Sequence, residues 1–343
     1  MGTVFQPRRH CSRLSLCLLL LATTPFAATS LAQVCQTAGD LNTATRTAFE
    51  SAAVRYFEMS AHGDQAALKQ NSIPSVAANF AGIEASVKDN QAAFAGAQPA
   101  VRPPFLLTVD GARPLERAEF LCGVFGKSGQ TKDSAVFVLN NLPPGKYGIA
   151  ILDVTGGKTA MAMTLTLVLQ QEGNDWKLAG FFARPAQTAG HDAEWFLQRA
   201  RDFKAKSQAH NAWLYYRESI ALCSPVDFMS TLATDKMYDE TQAAQPADVP
   251  ANGGTTDLSA GGKAYHVTEI FPLAVGNDLD VVVKYQASDV SDTARTFQEN
   301  TAVIKALVAK YPEIREAFAG VVARAVEPSG RDYGTLLAMK DIK

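Results

Sequence analysis

The sequence predicts an α+β fold: N-terminal helices plus a curved antiparallel sheet, then a helical hairpin and a small C-terminal ββαββ domain. Hydrophobic residues recur at three- and four-residue spacing over residues 40–97 and 191–240, which is the spacing of one face of a helix. They alternate with polar residues over residues 105–184, which is the pattern of strands with one buried face. With 343 residues, 47% of them hydrophobic, the chain can form about two packed domains.

The charge balance argues against a nucleic-acid partner. The chain has 32 Lys and Arg residues against 34 Asp and Glu residues, and its formal net charge is −2. Proteins that bind nucleic acids usually present a basic stripe. We therefore expect no nucleic acid among the partners of this protein.

Residues 1–32 have the features of a secretory signal peptide. Three arginines precede an apolar stretch at residues 14–22. Ser30 and Ala32 are the small residues that favour cleavage before Gln33. A membrane span needs about 20 apolar residues, so this stretch is too short for one, and no later apolar run approaches that length. We expect a periplasmic or secreted protein with no transmembrane anchor after cleavage.

Cleavage would leave three cysteines, Cys35, Cys122 and Cys223. In an oxidising compartment they can form one disulfide at most. Cys122 lies in a strand-like run, which favours a small buried hydrophobic residue at this position. No cysteines or histidines have the spacing of a zinc site, and we expect neither a metal nor another cofactor.

Three helices are predicted before the strands. Asp40 or Asn42 can cap the first helix. Gly63 interrupts the helix, and a short helix over residues 65–70 follows. Pro74 then begins a third helix. The apolar stripe of this third helix consists of Val76, Phe80, Ile83 and Val87.

Six strands are predicted between residues 105 and 184, bounded by Gly, Pro, Asn and Asp residues that favour turns. In the fifth strand the odd-numbered positions are large and apolar, so one side of the strand faces a core. The predicted strands cover residues 105–109, 117–125, 134–140, 147–154, 161–170 and 175–183.

The last two predicted strands carry the most specific pattern of the chain. An apolar strand leads to a turn at Gly173 and Asn174, and the next strand begins with Trp176, Lys177 and Leu178. Together with the leading helices, this ending resembles the nuclear-transport-factor-two-like fold, which is related to the cystatin-like α+β cone. The resemblance covers residues 40–184 and implies a cone-like domain at residues 33–188.

A second resemblance points to a different fold. Pro143, Pro144 and Gly145 form a turn that is similar to one in carboxypeptidase-regulatory-like β-sandwich domains. A small sandwich could use all six strands, but it would leave the three leading helices without a role. The cone-like fold uses both halves, and we prefer it.

The resemblance to a cone-like fold implies a candidate site between the helices and the sheet. Asp153 lies among apolar strand residues, and a carboxylate in such a cavity can serve as a general base. The competing interpretation is that Asp153 lies solvated at the strand end, and that the apolar candidates simply form the core. The candidate binding residues are Tyr56, Phe80, Tyr147, Asp153, Met163 and Trp176.

Residues 189–240 are predicted to form a helical hairpin, with helices over 193–207 and 211–222. Its small and aromatic positions are similar to those of a single tetratricopeptide unit, and no second copy follows at the period of such repeats. We therefore expect an isolated hairpin, which could bind a protein partner. The positions that carry the similarity are Ala200, Phe203, Ala212, Tyr216 and Ser219.

The remainder of the chain is expected to contain a linker and a third module. Residues 241–262 lack periodicity and are rich in Gly, Pro and Ala, as linkers are. Residues 263–343 are predicted to place a helix over 293–310 on a four-stranded sheet. The four strands cover residues 263–271, 278–286, 319–326 and 333–339.

From these patterns we expect an exported, non-enzymatic accessory, binding or scaffolding protein of the bacterial cell envelope. The motivation is that three small modules carry no recognisable catalytic motif. Two alternatives use the cone-like domain: a binder of a small apolar ligand, and an enzyme of isomerase or hydrolase type. An open or a filled cavity between helices and sheet distinguishes them.

Overall fold

The computed structural model describes residues 33–125, 129–159, 161–251 and 253–343. The predicted signal peptide lies outside the described residues. The fold is mixed α+β, as the sequence predicts, with sheets that are mostly antiparallel. None of the helices in these ranges is both long and apolar enough to cross a membrane.

The first part of the described chain is a short strand followed by five helices. Asn42 caps the first helix by accepting a hydrogen bond from the backbone N–H of Thr45 at 2.8 Å. Gly63, with a φ of 70°, ends it, because this left-handed conformation favours glycine. The elements are β1 (Gln33–Gln36), α1 (Thr43–His62), α2 (Gln65–Gln70), α3 (Pro74–Ala78), α4 (Ala81–Asp89) and α5 (Gln91–Phe94).

The predicted third helix is divided into α3 and α4. Asn79 separates them with a φ of −121°, and its side-chain amide donates to the backbone oxygen of Ser75 at 3.1 Å. Side chains of this kind compete with the helix for backbone hydrogen bonds. The division leaves Phe80 and Val87 buried, as their positions in the apolar stripe predict.

Seven strands follow and belong to two sheets. The seven strands are β2 (Gln98–Val101), β3 (Phe105–Val109), β4 (Leu115–Cys122), β5 (Ala135–Leu142), β6 (Gly145–Thr155), β7 (Met163–Glu172) and β8 (Asp175–Pro185). The larger sheet has the order β1-β3-β6-β7-β8, and β2 also pairs with β6. The smaller sheet contains β4, β5 and a short strand from later in the chain.

The two faces of the larger sheet have separate cores. Helices α1 to α5 pack on one face, where Phe49, Tyr56 and Trp176 belong to one buried cluster. Strands β4 and β5 pack on the other face, where Phe105 and Phe137 belong to a second cluster. Their rings meet edge to face at 5.1 Å.

A disulfide joins Cys35 to Cys122, with the two Cα atoms 5.1 Å apart. The sequence favoured a small buried hydrophobic residue at Cys122. Cys122 is buried, but its sulfur is bonded to Cys35 rather than serving only as an apolar group. The reason is β1, which no periodicity predicts. It pairs with β3 and brings Cys35 to the end of β4. Cys223 is the free cysteine of the described residues.

The hairpin and the C-terminal sheet share a third core. Phe196, Phe203 and Tyr216 are buried in the same cluster as Val281 and Ile304. The aromatic residues of the hairpin therefore pack against the C-terminal part of the same chain. The elements are α6 (Ala193–Ala205), α7 (Ala209–Cys223), β9 (Met229–Ser230), which joins the smaller sheet, and α8 (Leu232–Ala244).

Residues 241–262 differ from the expected linker. Helix α8 continues to Ala244, Val249 is buried in the third core, and residues 256–260 form an additional strand. The additional strand gives the C-terminal sheet five strands rather than four, because its residues pair with those that follow the turn at Gly261 and Gly262. Composition alone could not reveal this pairing, since Gly-rich turns and linkers look alike in sequence.

The C-terminal sheet otherwise has the predicted ββαββ arrangement. The elements are β10 (Thr256–Ala260), β11 (Lys263–Val275), β12 (Asp278–Gln286), α9 (Thr293–Lys310), α10 (Ile314–Ala317), β13 (Gly320–Val326) and β14 (Asp332–Ala338). The strand order is β10-β11-β12-β13-β14, with β12 and β13 parallel, and α9 packs on the sheet.

Candidate functional site

Four of the six predicted site residues lie in the filled core between the helices and the larger sheet. Tyr56, Phe80, Met163 and Trp176 are all buried there. The ring of Trp176 meets that of Phe49 edge to face, with centroids 4.9 Å apart. The Tyr56 hydroxyl lies near backbone oxygens 2.8 Å away at Trp176 and 2.7 Å away at Asn71. These contacts make the four side chains part of a packed interior.

The other two predicted site residues lie elsewhere. Tyr147 is buried on the opposite face of the sheet, and its hydroxyl donates to the backbone oxygen of Pro143 at 2.9 Å. The Asp153 carboxylate binds the Arg102 guanidinium, which donates from Nη2 at 2.6 Å and from Nε at 3.0 Å. The structure therefore does not bring Asp153 together with the aromatic candidates.

A cavity of about 520 Å³ lies at the end of the sheet face that carries Tyr147. We call it the Arg102 cavity. It is bounded by the segment after β1, the β2–β3 connection, Gly123 and residues 131–134 between β4 and β5, and the residues from the end of α7 to the start of α8. Its lining includes Thr37, Arg102, Pro103, Pro104, Phe105, Gly123, Ser134, Ile151, Cys223, Pro225, Met229, Thr231 and Thr234.

Two prolines produce one apolar wall of the Arg102 cavity. The backbone N–H of Arg102 donates to the oxygen of Ile151 at 2.8 Å, and regular pairing with β6 resumes at Phe105. Pro103 and Pro104 lie between these points and have no N–H to donate. The chain therefore leaves the sheet here, and the two rings line the cavity beside Ile151 and Phe105.

Hydroxyl groups line another part of the Arg102 cavity. The Ser134 hydroxyl donates to the backbone oxygen of Gly123 at 2.9 Å and accepts from the N–H of Thr131 at 2.8 Å. Gly123 has a φ of 65°, and a Cβ there would lie 3.2 Å from a methyl group of Thr37 and 3.3 Å from the Ser134 oxygen. Both the backbone conformation and the close neighbours therefore favour glycine at this position, directly after the disulfide-bonded strand.

The Cys223 thiol and the Arg102 guanidinium determine which reactions and which ligands the cavity can support. Burial raises the pKa of the Cys223 thiol, and the nearby positive charge of Arg102 lowers it by less. The group is therefore a neutral thiol at neutral pH, which is a weak nucleophile. The other charged residues of the lining, Lys132 and Asp133, are exposed neighbours of opposite sign.

The sequence did not indicate this site because its residues are far apart along the chain and belong to no motif. The most visible signal was the Arg-Pro-Pro sequence at residues 102–104, which marks a break between strands. Cys223 was noticed only as a cysteine that could pair. No periodicity predicts that these two segments meet.

Among the residues that the structure describes, no three His, Cys, Asp or Glu side chains are placed to hold a metal ion. Comparison of the chain with protein-family models, with curated proteins and with solved structures gives no significant match. The geometry of the Arg102 cavity is therefore the main basis for a functional hypothesis.

Proposed function

We propose that this protein is an exported, non-enzymatic binding protein of the bacterial cell envelope, and that its ligand is a small, largely apolar molecule held in the Arg102 cavity. The observation that carries the proposal is the cavity itself. A volume of about 520 Å³, with proline, phenylalanine, isoleucine and methionine walls and a few polar groups, is typical of small-molecule sites.

Three features favour binding over catalysis. The cavity thiol is neutral, as its raised pKa requires. Asp153, the carboxylate considered as a general base, is held by Arg102. The interior between the helices and the sheet, which the enzyme hypothesis would use, is occupied by Phe49, Tyr56 and Trp176. The Arg102 cavity thus provides apolar walls and polar groups that can bind a ligand, rather than the activated nucleophile and general base that catalysis needs.

Export is supported by the Cys35–Cys122 disulfide, because stable disulfides are typical of oxidising compartments. The test is N-terminal sequencing of the protein recovered from an exported fraction. We expect the mature chain to begin at Gln33, and a retained Met1 would contradict the proposal.

We also propose that residues 33–188 are a variant of the nuclear-transport-factor-two-like fold and that the hairpin is a single tetratricopeptide-like unit. Helices packed on one face of an antiparallel sheet support the first assignment. Buried Ala200 and Ala212 at the hairpin interface support the second, since small residues allow paired helices to approach closely.

The binding proposal can be tested with a neutral apolar dye, N-phenyl-1-naphthylamine, whose fluorescence rises in apolar surroundings. We expect saturable binding, and at least tenfold weaker binding to Cys223→Phe, because the larger side chain fills the cavity. Leu273→Phe is the matched control, since Leu273 is exposed on the C-terminal sheet. Non-saturable binding, or equal binding to wild type and a folded Cys223→Phe variant, would overturn the proposal.

A further inference from the structure

Of the charged lining residues that the structure describes, Arg102 is the one that its surroundings fix in place. The backbone N–H of Arg102 donates a hydrogen bond to the backbone oxygen of Ile151, and two prolines follow Arg102 in the chain. The guanidinium donates hydrogen bonds to the Asp153 carboxylate. Lys132 and Asp133 are exposed on the β4–β5 turn, and their opposite charges offset each other. Among the described residues, the cavity therefore has mostly apolar walls, and Arg102 is its positioned cation.

The guanidinium retains donors that Asp153 does not use. Asp153 accepts from Nε and Nη2. Within the described part of the chain, Nη1 makes no hydrogen bond. An arginine has five N–H donors in a planar fork, and pairs with carboxylates and phosphates are its strongest hydrogen bonds. A second anion can therefore bind Arg102, alongside Asp153 or in its place.

Replacing Asp153 by another anion at Arg102 should cost little free energy, because the Arg102–Asp153 ion pair is half-exposed. The exposed fractions of the two side chains are 41% for Arg102 and 45% for Asp153. Pairs of this kind contribute little to stability, and a released Asp153 would stay in contact with water. A fully buried pair would instead leave an uncompensated charge after such an exchange.

A neutral apolar ligand would fit this cavity less well than an anionic one. A neutral apolar ligand would displace the water that hydrates the free guanidinium donors and would offer no acceptor in its place. Polar groups that are buried without a partner cost free energy. We propose that the ligand is an anionic amphiphile: its carboxylate or phosphate binds Arg102 in competition with Asp153, and its apolar part contacts Phe105, Ile151 and Met229. This inference rests on the proposed binding function.

The experiment measures displacement of the bound dye by three ten-carbon compounds, decanoate, decyl phosphate and decan-1-ol, at constant ionic strength. We expect decanoate or decyl phosphate to displace the dye at concentrations about tenfold below decan-1-ol, the difference that one charge-assisted hydrogen bond provides. The stronger of the two anions identifies the head group. Equal displacement by the alcohol and both anions would overturn the inference while leaving the binding function intact.

Two variants with opposite expected effects separate anion recognition from a merely structural ion pair. Arg102→Gln should weaken binding of the anion about tenfold and leave decan-1-ol unchanged. Asp153→Asn removes the competing carboxylate and should strengthen anion binding. Lys69→Gln, at an exposed position of α2 far from the cavity lining, is the control for general charge and should change it less than twofold. The inference is wrong if Asp153→Asn weakens anion binding, or if Arg102→Gln weakens binding of the alcohol and the anion equally. If the dye itself does not bind, that result contradicts the proposed binding function rather than the identity of the ligand.

Discussion

The two faces of the larger sheet are made by alternate residues of the same strands, yet they differ in how they are covered. Leu152 faces the helices and its neighbour Ile151 faces the smaller sheet. On the helix side, five helices complete the core. On the other side, β4 and β5 cover part of the sheet, and the Arg102 cavity lies where this cover ends. Alternation thus determines which residues share a face, while the covering elements determine whether that face is closed.

Both faces contain a buried hydroxyl without a hydrogen-bond partner among the described residues. On the helix side it is Thr159 Oγ1, although the backbone N–H of Thr159 donates to Ala92 of α5. On the other side it is the Oγ1 of Thr166, which pairs in register with Ile151. An unpaired buried hydroxyl is costly, so the two faces differ in how completely they are covered rather than in this cost. The helix side, whose apolar core is closed, should contribute more to stability.

The largest expected effect is on the helix side, at Trp176. Trp176→Ala removes a buried indole that packs against Phe49 at 4.9 Å, and such truncations cost about 3–5 kcal/mol. Thermal unfolding of the chain that begins at Gln33 should show a large decrease in the midpoint. The dye should still bind below the new midpoint, because Trp176 belongs to the other face.

Phe182→Ala is the control for the loss of an aromatic side chain from the same strand. Phe182 is 37% exposed, and its ring meets that of Phe228 at 5.3 Å on the opposite face. We expect a clearly smaller change in the midpoint than for Trp176→Ala. A shift of only a degree or so for Trp176→Ala would contradict the closed-core description of the helix side.

The next effect is expected from the Cys35–Cys122 disulfide, which joins β1 to β4 on the cavity side. It connects positions 87 residues apart, and the loss of a native disulfide typically costs about 2–5 kcal/mol. The double variant Cys35→Ser/Cys122→Ser should therefore unfold at lower temperature and bind the dye less tightly. Cys223→Ser controls for the loss of a sulfur atom. Equal midpoints for the double variant and this control would show that the bond does not stabilise the cavity side.

Patterns in the sequence predict some of the strands of the larger sheet, but they do not predict β1 or the cavity. Alternation predicted β3 at the residues where it lies, and turn residues placed the boundaries of β6 to β8 within a few positions. Sequence alternation could not predict β1, because four residues are too few to show a periodic pattern. The pairing of Cys35 with Cys122 was therefore missed. Sequence alternation could not place the cavity, because Arg102 and Cys223, which both line it, are more than 100 residues apart and are brought together by tertiary packing.

A smaller difference between the faces can be measured with the same substitution on each. Tyr56→Phe leaves two backbone oxygens without the hydroxyl that lies near them, whereas Tyr147→Phe affects one. A buried hydrogen bond contributes about 1 kcal/mol. The single Tyr56 proton is shared between two oxygens at short distances, so Tyr56→Phe should lower the free energy of unfolding by about 1 kcal/mol and Tyr147→Phe by less. Chemical denaturation measures both. A larger loss for Tyr147→Phe would reverse the ranking of the two faces.

The smallest expected effect is electrostatic and concerns the thiol of the cavity side. Burial raises the pKa of Cys223, the positive charge of Arg102 lowers it, and the negative charge of Glu194 raises it. Because an acid with a raised pKa favours its protonated form in the folded state, its contribution to stability is present at low pH and is lost as the pH rises through the folded pKa. Alkylation of the thiol should accordingly begin at higher pH in the folded chain than in the unfolded chain.

The measurement is the rate of alkylation by iodoacetamide against pH, for the chain that begins at Gln33, in buffer and in guanidinium chloride. The midpoint of the profile reports the pKa, whereas access to the thiol changes only the plateau. Arg102→Gln should move the midpoint to higher pH and Glu194→Gln to lower pH, since they remove charges of opposite sign near the same sulfur. A folded midpoint at or below that of the unfolded chain, in Arg102→Gln as well as in the unsubstituted chain, would mean that water reaches the thiol freely, and the Arg102 cavity would then be too open to enclose an apolar ligand.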